Sequence, residues 1–256
     1  MESILETSIE GPVHYIKLNR PEKRNALSDL MLLEIEKVFR SLPPAVRCVV
    51  LYGEGDHFSA GLDLSELQER DTLEGYRHSR MWHRVMDAVE FCGVPVLAVL
   101  HGACVGGGLE LACACHIRIA DASVFYALPE GQRGIFTGGG GALRLPRLVG
   151  TAVMTDMMLT GRVHKAEAGD RLGFSQYLTG EGKGLETARE LAEKISANAP
   201  MTNFALTQVL PRIAHLDRDA GLSLEALMAA VAQSAPEAKQ RLRDFLEGRA
   251  KKVGEE

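Results

Sequence analysis

The sequence holds no apolar run able to cross a bilayer. The longest, Phe91 to Leu100, is interrupted by Gly93 and Pro95 and reaches about half of the ~20 residues a spanning helix needs. An apolar leader is also missing: the opening MESILETSIEG carries two acids within its first six residues and does not read as a secretory signal, so a cytoplasmic location is expected. Positive charge is not in excess, since Lys plus Arg 29 against Asp plus Glu 34 gives a net charge of −5. That balance offers no electrostatic footprint for nucleic acid or an anionic membrane, and neither is expected as a partner. Cysteine is sparse and odd in number. Cys48, Cys92, Cys104, Cys113 and Cys115 lie inside apolar segments, as reduced core residues do in a chain too large to need staples. The cluster Cys113, Cys115 and His116 fits no common zinc spacing and no second pair follows it, so no metal is expected.

What is present suits one large packed domain, or a core with a smaller appendage. Hydrophobic residues are 46% and charged residues 25% of 256, close to the average for globular chains and far from disorder. Ile4 to Ile9 and Val13 to Leu18 read as a hairpin around Gly11-Pro12. Ser28 is a candidate N-cap for a helix with apolar positions Leu30, Leu33, Ile35, Val38 and Phe39, stopped by Pro43-Pro44. Cys48 to Leu51 and Val96 to Leu100 are continuous apolar runs, as in strands buried on both faces. Tyr76 to Phe91 between them has helical spacing at Met81, Val85, Met86 and Val89. Ile117, Ile119 and Val124 to Ala127 suggest two more short strands. The alternation predicts an α/β core with parallel pairing. From about Thr151 the pattern becomes mainly helical, with candidates at Glu186 to Ala197, Asn203 to Val209, Leu222 to Val231 and Pro236 to Leu246. No repeat, low-complexity tract or long linker separates the parts.

Three segments carry the chemistry. In His101 to Cys115, a buried strand runs into Gly106-Gly107-Gly108 and then a helix. Such glycines let a backbone approach an anion or a developing oxyanion, with free N–H groups at the helix start. A tight turn is the plainer explanation of a glycine triplet. The triplet is no nucleotide loop, because position 111 is Leu and no Gly-Lys-Ser/Thr follows. Glu110 stands in the first turn of that helix, where it either shares a cavity with the loop N–H groups or only complements the helix dipole. Glu130 follows Pro129 and precedes a glycine-rich loop, Gly131 to Gly141; by periodicity alone it is a solvated turn. Phe58-Ser59-Ala60-Gly61-Leu62-Asp63-Leu64 follows the strand beginning at Cys48. If the two buried strands are parallel neighbours, this loop and the glycine triplet lie side by side at their carboxyl ends, where α/β folds form sites.

Phe58 to Leu64, Val105-Gly106-Gly107-Gly108-Leu109-Glu110-Leu111-Ala112, and Pro129-Glu130 with the downstream glycines and Arg144-Leu145 together resemble the crotonase family of acyl-CoA enzymes. Asn19-Arg20-Pro21, Asn25-Ala26-Leu27 and Leu159-Thr160-Gly161-Arg162 extend the resemblance over nearly the whole chain, in the family's order. It implies an α/β fold, a spiral of ββα units over residues 1–198 with a helical C-terminal region, 199–256, that assembles a homotrimer or homohexamer. By position, the N–H groups of Leu62 and Gly107 would form an oxyanion hole for a thioester carbonyl. Glu110 and Glu130 match the two acids of the enoyl-CoA hydratases, which add water to a 2-enoyl-CoA. Coenzyme A would arrive as part of the acyl-CoA substrate, with no separate cofactor. Arg24 would meet its phosphates, and Ala60, Asp63 and Leu64 its adenine. Phe245 and Arg249 would complete a neighbouring subunit's CoA site, and Met81, Trp82 and Val85 would either line the acyl pocket or belong to the core. An isomerase, thioester hydrolase or C–C lyase of the same family, or a non-catalytic acyl-CoA-binding relative, remains the alternative. A serine hydrolase is disfavoured, since Ser59 lies in no G-x-S-x-G turn. Departures from the family pattern are His116 where Asp is usual, Tyr126-Ala127-Leu128 before Pro129-Glu130, the polar Gln132-Arg133, and Thr137 where Pro is frequent.

Overall fold

The computed structural model describes residues 3–66 and 68–249. The chain opens with strands β1 (Leu5–Glu10) and β2 (Val13–Leu18), followed by helix α1 (Asp29–Arg40). Ser28 caps α1 by accepting the Met31 N–H at 3.2 Å, which satisfies one of the donors every helix start leaves open. Next come β3 (Cys48–Gly53), α2 (Thr72–Glu90), β4 (Val96–Leu100), β5 (Ala103–Val105) and α3 (Gly107–Ala114). Helix α2 starts earlier than its apolar stripe, because Asp71 and Glu74 close a capping box at its N-terminus. Then follow β6 (Ile117–Asp121), β7 (Phe125–Ala127), α4 (Gly141–Val149), α5 (Thr151–Thr160), β8 (His164–Lys165), α6 (Ala166–Leu172), β9 (Tyr177–Thr179) and α7 (Gly184–Ser196). The mainly helical reading from Thr151 onward is corrected at β8 and β9, which are too short to carry a period of two.

The larger sheet has the order β1-β2-β3-β4-β6-β9 and the smaller one β5-β7-β8. All neighbouring pairs of the larger sheet are parallel except the β1–β2 hairpin. The turns β4-β5-α3 and β6-β7-α4 each place one strand in the larger sheet, one in the smaller and then a helix, which is the repeat of a ββα spiral. The central strands bury both faces, and their alternation sorts side chains between two cores. Val49, Leu51, Val96, Ala98 and Leu100 pack towards α1, α2 and α3, against Met31, Ile35, Val85, Met86 and Leu109. Cys48, Val50, Leu97 and Val99 face the other way, where Ala188 and Ala192 of α7 cover them. All five cysteines are free thiols.

The chain divides between Ser196 and Ala197 into two compact units. The second contains α8 (Pro200–Phe204), a π-helical turn over Ala205–Val209, α9 (Leu210–Ile213), α10 (Arg218–Ser234) and α11 (Pro236–Leu246). Asp217 caps α10 through the N–H groups of Asp219 and Ala220. Among the described residues no helix is long and apolar enough to cross a membrane.

Candidate active site

The loops after β3 and β4 are stitched together. Ser59 N–H donates to Ala103 O at 2.9 Å and Val105 N–H returns the bond to Ser59 O at 3.1 Å. Asn25 underpins the first loop from below: its side chain donates to Glu54 O and His57 O and accepts the Arg20 N–H, while Ser59 Oγ donates to Asn25 O at 2.8 Å. Gly61 has φ +88, and a Cβ there would fall 2.6 Å from Val105 O and 3.1 Å from Gly107 N. Only glycine permits so close an approach with positive φ. The next residue is thereby brought to the start of α3, where a Cβ added to Gly107 would lie 3.5 Å from Leu62 N. Gly106 precedes the helix at φ 51, ψ −123, a conformation closed to side-chain-bearing residues. Among the described residues neither Leu62 N–H nor Gly107 N–H has an acceptor. Two open donors thus sit beside each other at a helix N-terminus.

Glu110 follows in the first turn of α3 and is 4% exposed. Its Oε1 accepts the N–H groups of Gly139 at 2.9 Å and Gly141 at 2.7 Å. Burial raises its pKa to about 7, opposed by those two bonds and by Arg144, and reinforced by the charge of Glu130. Glu130 is 8% exposed, and its Oε1 lies 2.8 Å from where a Gly106 Cβ would be. Its pKa is also raised by burial, with Arg133 acting in the opposite sense, and its buried Oε2 has no partner among the described residues. The glycine-rich loop therefore grips one carboxyl and leaves the other loose.

Both acids line one cavity of about 490 Å³, together with Ala60, Leu62, Leu64, Gly107, Trp82 and the loop from Arg133 to Gly139. Of the residues singled out by sequence, the structure thus brings Glu110, Glu130, Leu62, Gly107, Ala60 and Leu64 together. Arg24 and Asp63 do not line the cavity. Arg24 is exposed, tied in through its backbone, where its N–H donates to Pro21 O and its carbonyl accepts the Ala60 N–H, each at 2.9 Å. Asp63 turns its carboxyl away, holding Ser65 N–H and Oγ on one oxygen and Arg20 at 2.8 Å on the other. These contacts, the Ser65 hydroxyl foremost, lower its pKa to about 2.

Trp82 lines the cavity, whereas Met81 and Val85 pack in the core. Arg133 and Thr137 line it too, and the Thr137 hydroxyl is buried without a partner among the described residues. His116 lies away from it, accepting the Val96 N–H at 3.0 Å, with burial lowering its pKa to about 4. Gln132 faces the end of α5, donating to Thr160 O at 3.4 Å. In the second unit Phe245 is 60% exposed and Arg249 pairs with Asp244 at 2.7 Å.

The sequence reading passed over Gly75, His78 and Ser79, which line the cavity with Trp82. Their spacing of three and four residues is the available signal, since it puts them on one face of α2. It also passed over the Gly139 and Gly141 donors, for which no periodic pattern exists.

The sequence matches the family described as Enoyl-CoA hydratase/isomerase over residues 8–255. It is 33% identical to the short-chain-enoyl-CoA hydratase of Clostridium acetobutylicum, covering 94% of this chain and 93% of that one. A solved Rhodopseudomonas palustris protein, provisionally assigned as an enoyl-CoA hydratase, is 56% identical with a TM-score of 0.93, covering 96% and 95% of the two chains. The solved enoyl-CoA hydratase of Bacillus anthracis is 29% identical with a TM-score of 0.90, over 99% of this chain and all of the other. The α/β spiral, the stitched loops and these likenesses together show that the chain belongs to the enoyl-CoA hydratase/isomerase family.

Proposed function

We propose that the protein is an enoyl-CoA hydratase that adds water to a 2-enoyl-CoA thioester, using Glu110 and Glu130 as the acid/base pair. The observation that carries this reading is the meeting of two buried carboxyls and two open N–H donors around one cavity. Hydration needs a base to take a proton as water attacks Cβ, and an acid to protonate Cα. Electrons from the double bond move to the thioester oxygen, where the N–H groups of Leu62 and Gly107 stabilise the enolate, each by roughly 3–4 kcal/mol on the scale of comparable donors.

Glu110 is assigned to water, because two peptide N–H groups fix its orientation. Glu130 is assigned to the Cα proton, because its buried Oε2, without a partner among the described residues, is free to hold and deliver a proton. Coenzyme A is carried by the substrate, with Arg24 assigned to its phosphates and Ala60, Asp63 and Leu64 to its adenine. Relatives named as enoyl-CoA hydratases support the same chemistry. The exposed Leu227, Leu242, Phe245 and Leu246 of α10 and α11 support assembly into a homotrimer or homohexamer, and a cytoplasmic location fits a chain whose described helices cannot cross a membrane.

The test is incubation with short, long and aromatic 2-enoyl-CoA esters in heavy-oxygen water. A 3-hydroxyacyl-CoA carrying one heavy oxygen is expected. A shifted double bond, free CoA or unchanged ester throughout overturns the assignment.

A further inference from the structure

The cavity-lining serine of α2 has a place in this chemistry that the acid pair alone does not explain. Ser79 Oγ donates to Gly138 O at 2.6 Å. The same peptide unit, read from its other end, is the Gly139 N–H that donates to Glu110 Oε1 at 2.9 Å. One peptide plane therefore lies between a hydroxyl on its carbonyl and a carboxylate on its N–H. Hydrogen bonds arranged in such a chain polarise one another, so the hydroxyl strengthens the donor on the far side.

The direction of the Ser79 proton is set by its neighbours. Arg80 Nη1 lies 3.3 Å from His83 Nδ1, and a guanidinium can only donate. His83 Nδ1 is then the acceptor and Nε2 carries the hydrogen, which points to Ser79 Oγ at 3.4 Å. With that lone pair occupied, the hydroxyl hydrogen is left for Gly138 O. Burial lowers the pKa of His83, which keeps the ring in the neutral form that this tautomer requires. Packing holds the plane in place: a Cβ on Gly139 would lie 2.9 Å from both Trp82 Cε3 and Glu110 Oε2. On the following carbonyl, Arg144 Nη1 approaches Gly139 O at 3.4 Å while its other nitrogens are bound to Asp87 and Glu90.

We propose that Ser79 is a positioning residue that acts on Glu110 through the Gly138–Gly139 peptide, holding its carboxylate in register and favouring its ionised form. The proposal deepens the hydratase reading, but its physical core, the coupling of Ser79 to Glu110, can be measured without turnover. The other charged or titratable groups that bear on Glu110 are Glu130 from the segment after β7, Arg144 of α4 and Cys113 of α3 itself, none of them in contact with Ser79, while His83 of α2 faces both Ser79 and the Gly138 carbonyl from the far end of the same peptide.

The experiment is a carbon-13 NMR titration of the full-length protein labelled at glutamate carboxyls, with the Glu110 resonance identified by its loss in Glu110→Gln. In Ser79→Ala the Glu110 midpoint is expected to rise by about 0.1–0.7 pH unit, the size of a 10–30% weakening of one charged hydrogen bond. Ser79→Thr, which keeps the hydroxyl, should restore it. Ser79→Cys, of similar size but a weak donor, should shift it in the same direction by less, and serves if the alanine variant does not fold. The acid limb of the hydration pH profile should move with the NMR midpoint. A serine that merely braces the loop lowers kcat without moving either midpoint, so coincident Glu110 titrations in wild type, Ser79→Ala and Ser79→Cys overturn the proposal. A shifted titration in a protein that hydrates no 2-enoyl-CoA leaves the coupling standing and removes the hydratase reading instead.

Discussion

Glu110 and Glu130 sit in the same cavity but are held in opposite ways. Glu110 belongs to a buried helix and has one oxygen clasped by two peptide N–H groups. Glu130 heads a segment in which residues 131–136 are all exposed, and one of its oxygens has no partner among the described residues. The lesson is that a pair of like acids can be given separate tasks by their supports. A clasped carboxylate presents a fixed lone pair, while a carboxyl with one oxygen unclasped is free to turn and pass a proton.

The strongest way to break this comparison is to neutralise each acid. Glu110→Gln and Glu130→Gln should each lower kcat by about 10²–10⁴ with little loss of CoA-ester binding. Steady-state kinetics with binding titration checks this, and unchanged hydration by Glu130→Gln removes that residue from the pair. The clasp itself is sharpened by two neighbouring glycines. An alanine at 139 would press on Glu110 and Trp82 at 2.9 Å, whereas one at 138 meets only Ser79 at 3.6 Å. Gly139→Ala should therefore cost about 10²-fold in kcat, the scale of an ångström's misplacement, and Gly138→Ala only a few-fold.

Stability separates the two acids on a third axis. A folded-state pKa of about 7 against an ordinary value of 4.5 for Glu110 means the folded protein holds its proton longer than the unfolded chain. The burden is absent below the lower value, grows as pH rises between the two, and is complete above the higher one. Glu110→Gln should raise stability by about 3 kcal/mol at pH 8 and by almost nothing at pH 4. Thermal melts at the two pH values check this, with Glu130→Gln expected to gain less. The smallest effect is at the exposed Arg24: Arg24→Ala should raise KM for CoA esters about five-fold. It should leave pantetheine thioesters, which lack the nucleotide phosphates, unaffected.

Much of the framework was legible because it follows from period and punctuation. The β1–β2 hairpin, the Ser28 cap, the continuous apolar strands β3 and β4, and α11 from Pro236 to Leu246 all rest on local patterns. The parallel pairing of β3 with β4 sets the two loops side by side, as their position after buried strands implied. The capping box of α2 was also written in the sequence, as Asp71 and Glu74, but lay outside the apolar stripe that marked the helix. What could not be read is held by distance. Strands β5, β8 and β9 have two or three residues each, too few for any alternation. The grip of Gly139 and Gly141 on Glu110 spans 29 and 31 residues and depends on where α4 begins. Nor does the type of residue reveal that Asp63 spends its carboxylate on Arg20 and Ser65.

The central claim is that the N–H groups of Leu62 and Gly107 receive the thioester oxygen while the two carboxyls flank the reacting carbons. A crystal structure with a bound 3-oxoacyl-CoA tests it most directly. The thioester oxygen is predicted to lie within about 3 Å of both nitrogens, with Cα and Cβ between Glu110 and Glu130. A thioester oxygen bound elsewhere, or an acyl chain that leaves either carboxyl facing water, contradicts it.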